Sequence, residues 1–182
     1  ALTQTLSVVL SSPMFLYKSE SSLQSRQTIS DQELAQRLSY FLWSAPADNQ
    51  LMKLAAEGQL SDPQILCEQT NRLLDDARSR EMIHGLIYQW LDMKRLDFFN
   101  VNIVKHRRYD NSVKLAVRQE VYETTAYLLA ENHSIADLLK TDYVIINNLL
   151  AHYYGIPDVD GDHFRRVKLP KDSPRGGLLG MA

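Results

Sequence analysis

The sequence lacks most of the features that would tie a chain to one chemistry. It has a single cysteine, Cys67, in 182 residues, which excludes an internal disulfide, a cysteine-rich zinc site and the C-x-x-C-H attachment of a c-type haem within the chain. No apolar run approaches the roughly 20 residues that span a bilayer, and no basic segment followed by an apolar core marks a signal peptide. The sequence predicts no membrane span, and it predicts Cys67 as a small buried hydrophobe rather than a nucleophile.

An excess of charge of one sign is also lacking. The 20 basic and 22 acidic residues give a net charge of -2, and they are scattered along the chain. The longest basic cluster, Lys105-His106-Arg107-Arg108, is short and is interpreted as a solvated loop. The composition therefore argues against nucleic acid as a partner.

Sequence motifs of catalysis are missing as well. Nothing matches G-x-S-x-G, a P-loop or G-x-G-x-x-G, and the segment Arg175-Gly176-Gly177 is too short and has no following helix signature. The five histidines include no pair at the i, i+4 spacing of a helical zinc site. The sequence thus predicts no cofactor and no metal bound by motifs of this chain.

What the chain does contain is helical periodicity and enough apolar side chains, 45% of the residues, to bury a core. The pattern predicts an all-α protein, an irregular multi-helix bundle of about seven to nine helices with at most a minor C-terminal β-strand or hairpin. It predicts one helical domain over residues 1–182. Because the chain opens without Met inside a helical pattern and stops on an apolar run, we expect a fragment of a longer, multidomain chain.

Capping residues and breakers set the expected helix boundaries. A first apolar face ends before Pro13, and Ser30 with Glu33 forms a capping box for a helix that ends near Trp43. Further helices are expected after Asp48 and after Pro63. The densest apolar stripe, which predicts a central core helix, runs over residues 78–93, and the longest helix is expected over residues 111–132.

The remaining segments are less regular. Residues 19–28 predict a polar loop, and residues 94–110 predict a packed irregular loop with room for a short strand. Tyr143 to Ile146 is β-branched and predicts an extended segment. Residues 164–169 predict an edge strand that follows an Asp-Gly turn and precedes Pro170.

Three groups of polar residues are candidates for a site. Asn147, His152 and Tyr153 cluster on one short predicted helix, where structural hydrogen bonding is the plainer interpretation. Glu120 and Glu123 lie on neighbouring positions of the longest helix. They are interpreted either as an acid–base pair or, more simply, as part of a solvated charged face. The third group consists of Asp158, Asp160 and Asp162, which alternate around Gly161. Carboxylates in a tight turn are a candidate calcium site, but a weak one, because their spacing departs from that of an EF-hand.

Several blocks, in this order, resemble a known uncharacterised domain. These blocks are Ser12 to Tyr17, Leu34 to Ser44, Gln89-Trp90-Leu91, Asn147 to Gly155, Phe164 to Val167 and Arg175 to Leu179. The domain occurs in large secreted proteins typical of planctomycetes and related bacteria, which often also carry a c-type cytochrome domain. The resemblance implies a periplasmic or cell-surface location, other domains of the same parent chain as partners, and haem in another domain.

Two functional hypotheses follow, and the sequence does not decide whether the domain is catalytic. The first is a helical scaffold or docking domain of a secreted, multidomain, haem-associated redox protein. The second is that the chain forms part of the active site of an extracellular enzyme, oxidative or hydrolytic, acting on a substrate such as a polymer. In that case the weak catalytic candidates His152, Tyr153, Asn147 and Arg166 would meet a neighbouring domain.

Overall fold

The computed structural model describes residues 2–17, 29–99, 101–102 and 104–181. Most of them lie in α-helices connected by short turns, with one small antiparallel sheet. The all-α prediction with a minor β-hairpin is therefore confirmed. The polar loop predicted at residues 19–28 lies outside the described residues.

The helices are α1 to α9 in chain order, and three 3-10 helices lie between or after them. The α-helices are Leu2–Leu10, Pro13–Leu16, Asp31–Trp43, Asn49–Ala56, Pro63–Asp75, Arg80–Trp90, Arg95–Phe98, Asn111–Ala130 and Asn148–Tyr154. The 3-10 helices are Ala77–Ser79, Ile135–Leu138 and Leu178–Gly180, and the strands are β1, Tyr143–Ile146, and β2, Arg165–Lys168.

The predicted caps account for where these helices begin. The Glu33 backbone N–H donates to Ser30 Oγ at 3.3 Å, while the Ser30 N–H donates to Glu33 Oε2 at 3.3 Å, which is the expected capping box. Asp48 Oδ1 accepts from the Leu51 N–H at 2.9 Å, and Asp62 accepts from residues of the first turn after Pro63. These hydrogen bonds satisfy backbone donors that a helix start leaves unpaired.

The N-terminal half of the core lies among α3, α4 and α5. Trp43 is buried there, and its indole N–H donates to the Leu73 carbonyl oxygen at 2.8 Å. Leu51 and Leu60 are fully buried in the same cluster. One residue of the predicted stripe, Phe41, is exposed instead, because it lies on the face of α3 turned away from this cluster.

The central element is α8 rather than α6. Helix α8 packs against α6, α9 and β1; seven of its eight buried residues lie on one face, and Tyr122 lies on the other side. In α6, Ile83 and Ile87 are buried, but Leu86 and Trp90 are 57% and 56% exposed. The predicted core role of α6 therefore holds for one face only, since the apolar stripe is wider than the surface that its neighbours cover.

The two strands pair antiparallel, with Tyr143 opposite Lys168 and Ile146 opposite Arg165. All four residues of β1 are buried, whereas β2 alternates between partly buried and exposed positions. Because α9 lies in the connection, the pair is not a tight hairpin. The extended segments predicted at both places are confirmed.

Two local predictions need correction. The sequence predicts a packed irregular loop over residues 94–110, and the described residues after α7 are irregular, with no strand. Leu96 packs against the core, but Phe98, Phe99 and Val104 are exposed rather than packed. Cys67 is also exposed, because α5 turns the side chain away from the face that carries Leu73.

Residues 2–17 form an exposed apolar surface. Helices α1 and α2 contact each other and have no extensive contact with another element of the described chain. No charged residue occurs in this segment, which we call the charge-free segment. Its exposed apolar side chains are Leu6, Val8, Val9, Leu10, Phe15, Leu16 and Tyr17.

Among the helices that the structure describes, none combines the length and the apolar character that crossing a membrane requires.

Candidate functional site

The most unusual polar side chain in the structure is Glu120, which α8 carries into the core with 0% exposure. The Tyr154 hydroxyl, from α9, donates a hydrogen bond to Glu120 Oε2. Within the described residues, the other carboxyl oxygen, Oε1, has no hydrogen-bond partner. Because a buried carboxylate normally requires partners for its oxygens, this half-satisfied group is a candidate functional residue.

Burial decides the protonation of this carboxyl. Desolvation raises the pKa of Glu120 from 4.5 to about 7, although the Tyr154 hydrogen bond and the positive charge of Arg175 act in the opposite direction. Glu120 therefore titrates near neutral pH.

Glu123, one turn further along α8, has a different environment. Its side chain is 18% exposed, and Oε1 accepts from Arg80 at 3.0 Å and from Gln119 Nε2 at 2.9 Å. The two carboxylates do not form one site, because one is buried against Tyr154 and the other is paired with α6. The interpretation of the pair as a solvated charged face is wrong for Glu120.

Arg175 covers the same region from the C-terminal segment. Its guanidinium lies 3.8 Å from the centre of the Tyr154 ring, and Nη1 donates to the Gly180 carbonyl oxygen at 3.0 Å. The next two residues, Gly176 and Gly177, have φ values of +111° and +78°. A Cβ at Gly176 would lie 2.2 Å from the Thr141 carbonyl oxygen. The Gly-Gly pair thus lets the backbone dock tightly and fixes the position of Arg175.

A cleft of about 580 Å³ opens beside Arg175. We call it the basic cleft; its lining residues are Val104, Lys105, His106, Arg107, Arg108, Tyr109, Tyr153 and Arg175. The short basic run, interpreted above as a solvated loop, is exposed but forms one wall of this cleft. Sequence reasoning missed the site because Arg175 and the basic run are far apart in the chain.

A larger cleft of about 890 Å³ lies between α8, the start of α6 and β2. We call it the α8 cleft. Arg166 lines it, with its guanidinium 4.4 Å from the centre of the Tyr143 ring, and the Arg80–Glu123 ion pair lies in its wall. Charges of both signs are therefore present here, in contrast to the basic cleft.

The structure does not bring the four weak catalytic candidates into one cleft. Tyr153 lines the basic cleft and Arg166 lines the α8 cleft. Asn147 Oδ1 caps α9 by accepting from the Leu150 N–H at 3.1 Å, and His152 is exposed on the same helix. Tyr154, which the sequence did not single out as a candidate, is the α9 residue that contacts Glu120.

The weak calcium candidates lie in an exposed turn. Asp158, Asp160 and Asp162 are all exposed, and Asp158 adopts a φ of +60° there. Across the residues that the structure covers, no three His, Cys, Asp or Glu side chains come together as a group that could hold a metal ion. The Gly161 carbonyl oxygen instead accepts a hydrogen bond from the Asn148 N–H at 3.1 Å, which ties the turn to the start of α9.

Comparison with known proteins adds a family but no activity. A search of curated proteins found no match, and a search of solved structures found none either. Residues 29–156, more than half of the chain, match the family described as PSD4, a protein of unknown function (DUF1592). The matched region contains Glu120, Tyr154 and the basic run, whereas Arg175 and β2 lie beyond it. The expected membership in an uncharacterised domain family is confirmed, and the chain belongs to the PSD4 family (DUF1592).

Proposed function

We propose that this chain is a helical docking domain of a secreted, multidomain, haem-associated redox protein, and that it packs against other domains of the same parent chain. The observation that carries the docking role is the charge-free segment. Leu6, Val9 and Leu10 lie at i, i+3 and i+4 on α1, and all three are exposed. An apolar helical face of this kind is characteristic of a surface that another protein element covers.

The continuation through α2 supports the same role. Phe15, Leu16 and Tyr17 are exposed next to α1, so apolar side chains extend over both helices. Apolar and aromatic side chains in a segment that itself contains no charged residue resemble the core of an interface more than its polar rim. The occupant in this proposal is another domain of the parent chain.

The haem association and the periplasmic or cell-surface location are proposed from the resemblance to secreted, planctomycete-type proteins with a c-type cytochrome domain. Cys67 is the only cysteine in the chain, so the two-cysteine attachment of a c-type haem would lie in another domain. The redox role assigned here is therefore that of a scaffold beside the haem domain.

Hydrogen exchange tests the docking role. We expect the amides of residues 2–17 to be protected in the secretion-processed full-length protein and to exchange quickly in this chain alone, because only the former contains the covering domain. The double variant Leu6→Ser/Val9→Ser in the full-length protein should lose this protection, whereas Leu129→Ser, an exposed apolar residue on α8, should retain it. Equal exchange in the full-length protein and the isolated chain would contradict docking through this segment.

Absorption spectroscopy tests the haem association separately. A Soret band in the full-length protein and none in this chain supports the proposal. If neither shows a Soret band, the haem association is wrong, whatever the exchange experiment gives.

The enzymatic hypothesis has less support. Neither described cleft contains His152, Tyr153, Asn147 and Arg166 together, and the Asn147 side chain already caps α9. An active site would bring these side chains into one cleft, whereas a docking surface would not.

A further inference from the structure

The basic cleft concentrates positive charge in a protein whose net charge is -2. Four of its lining residues carry a positive charge: Lys105, Arg107, Arg108 and Arg175. His106 adds an imidazole, and no Asp or Glu lines the cleft. Within the residues that the structure describes, no carboxylate forms an ion pair with Lys105, Arg107 or Arg108. A concave site lined by one sign of charge attracts counter-ions of the opposite sign.

Two tyrosines provide a nonpolar surface within this charged wall. The rings of Tyr109 and Tyr153 meet edge to face, with their centres 5.9 Å apart, and both are partly buried. Burial raises the pKa of the Tyr109 hydroxyl, and the neighbouring Tyr153 adds to this effect, so Tyr109 stays a neutral hydrogen-bond donor. Aromatic faces next to charged groups suit a ligand that has a ring-sized body and anionic substituents.

Local hydrogen bonds fold the backbone of the basic run into turns. Asn102 Oδ1 accepts hydrogen bonds from the Val104 and Lys105 N–H groups at 3.0 and 3.2 Å. The His106 N–H donates to the Asn102 carbonyl oxygen at 2.9 Å, and the Tyr109 N–H donates to the His106 carbonyl oxygen at 3.0 Å. These successive turns fold the basic run against the cleft.

Arg175, which lines the same cleft, is fixed by the Gly180 carbonyl oxygen and by the Tyr154 ring. The docked glycines that follow it prevent this segment from moving away without losing its close backbone contact with residues 139–141. A guanidinium that is already oriented loses less side-chain entropy on binding an oxyanion than a freely rotating one does.

We propose that the basic cleft binds a small multivalent oxyanion, a molecule with a ring-sized body that carries two or more phosphate, sulfate or carboxylate groups. Arg175 and the Arg107–Arg108 pair bind its anionic groups, and Tyr109 and Tyr153 pack against its body. The cleft volume of about 580 Å³ lies in the range of roughly 300–1,000 Å³ that is usual for small-molecule sites. This inference is independent of docking through the charge-free segment.

Isothermal titration calorimetry on this chain at low and at physiological salt tests the proposal. The probes are fructose 1,6-bisphosphate, a sulfated disaccharide and a galacturonate dimer, with glucose as the neutral comparison. We expect at least one anionic probe to bind and glucose not to bind; the probe that binds identifies the oxyanion as phosphate, sulfate or carboxylate. No heat of binding with any of the three anionic probes would overturn the proposal.

Variants separate a specific site from general attraction to positive charge. Arg107→Gln/Arg108→Gln removes two exposed charges without disturbing the core, and we expect it to weaken binding by about tenfold or more, since charge-assisted hydrogen bonds are lost. Lys53→Gln/Arg95→Gln is the matched control, because it removes the same net charge from exposed side chains outside the cleft. An equal loss of affinity in both double variants, or no loss in the first, would refute the assignment of the site.

Discussion

At the scale of single residues, Glu120 couples the stability of the fold to pH. Burial raises its pKa from 4.5, the ordinary value of a solvated glutamate, to about 7 in the folded chain. Between these pH values the folded protein holds a proton on Glu120 that the unfolded chain has released. The stabilisation by this proton is therefore complete below the unfolded pKa and is lost as the pH rises through about 7.

Glu120→Gln should remove this dependence, because the amide stays neutral at every pH. From the pKa shift, the free energy of unfolding of the wild type should fall by about 3 kcal/mol between acidic and mildly alkaline pH. The cause is the loss of the Glu120 proton. We expect a flatter profile for the variant in urea unfolding measured from pH 5 upward. Asp48 does not complicate this window, because its hydrogen bond with Arg72 holds its pKa below the usual value.

Glu123→Gln is the control for this experiment, since it also removes one carboxylate from α8. It should keep the pH profile of the wild type. If Glu120→Gln and the wild type lost stability in parallel as the pH rose, the buried carboxyl would not be the group responsible.

Two glycines test how tightly the Arg175 segment is docked. Gly177 has a φ of +78°, and a Cβ there would lie 2.3 Å from the Leu139 carbonyl oxygen; Gly58 has a φ of +67° but open space around it. Gly58→Ala should therefore cost about 1 kcal/mol of unfolding free energy, from backbone strain alone. Gly177→Ala should cost at least about 2 kcal/mol more, because the backbone of the docked segment must move. Denaturant unfolding measures both; equal losses would mean that the close contact is unimportant.

At the scale of helices, periodicity located the elements but not the faces that become buried. The boundaries of α3, α4 and α9 follow from local capping, which depends on residues within one turn and is therefore visible in sequence. Whether Leu86 and Trp90 meet a partner depends on where other helices pack, and their spacing does not contain this information. The site was hidden for the same reason, since Arg175 approaches Glu120 only in the folded chain.

Substitution of the two tryptophans tests which helix faces are buried. Trp43 on α3 is 2% exposed and hydrogen-bonded to the Leu73 carbonyl oxygen, whereas Trp90 on α6 is 56% exposed. Trp43→Ala should cost about 3–5 kcal/mol of unfolding free energy through the cavity it leaves. Trp90→Ala should cost about 0.5 kcal/mol or less, as expected for a surface substitution. Comparable losses in chemical denaturation would contradict the assigned burial.

At the scale of the whole molecule, the buried apolar core residues run from Ala35 to Leu169, and the charge-free segment contributes little to the core. We therefore expect Leu6→Ser/Val9→Ser to change the unfolding free energy of this chain by about 0.5 kcal/mol or less per substitution. Leu51→Ala, at a fully buried position of α4, should cost about 2–5 kcal/mol. Thermal and urea unfolding of the isolated chain measure both. A large loss in the first variant would show that the segment packs on the core, which would weaken the docking proposal.

The pairing of β1 with β2 determines how much of the chain a version of this domain must contain. The family match ends at residue 156, but β1 of the matched region is paired with β2, which lies beyond it. A protein cut at the end of the match would expose the backbone of Tyr143-Val144-Ile145-Ile146, an apolar strand edge open to pairing with the same edge of another molecule. Shorter versions of this domain should accordingly self-associate and precipitate, and the independently soluble unit is expected to include the second strand.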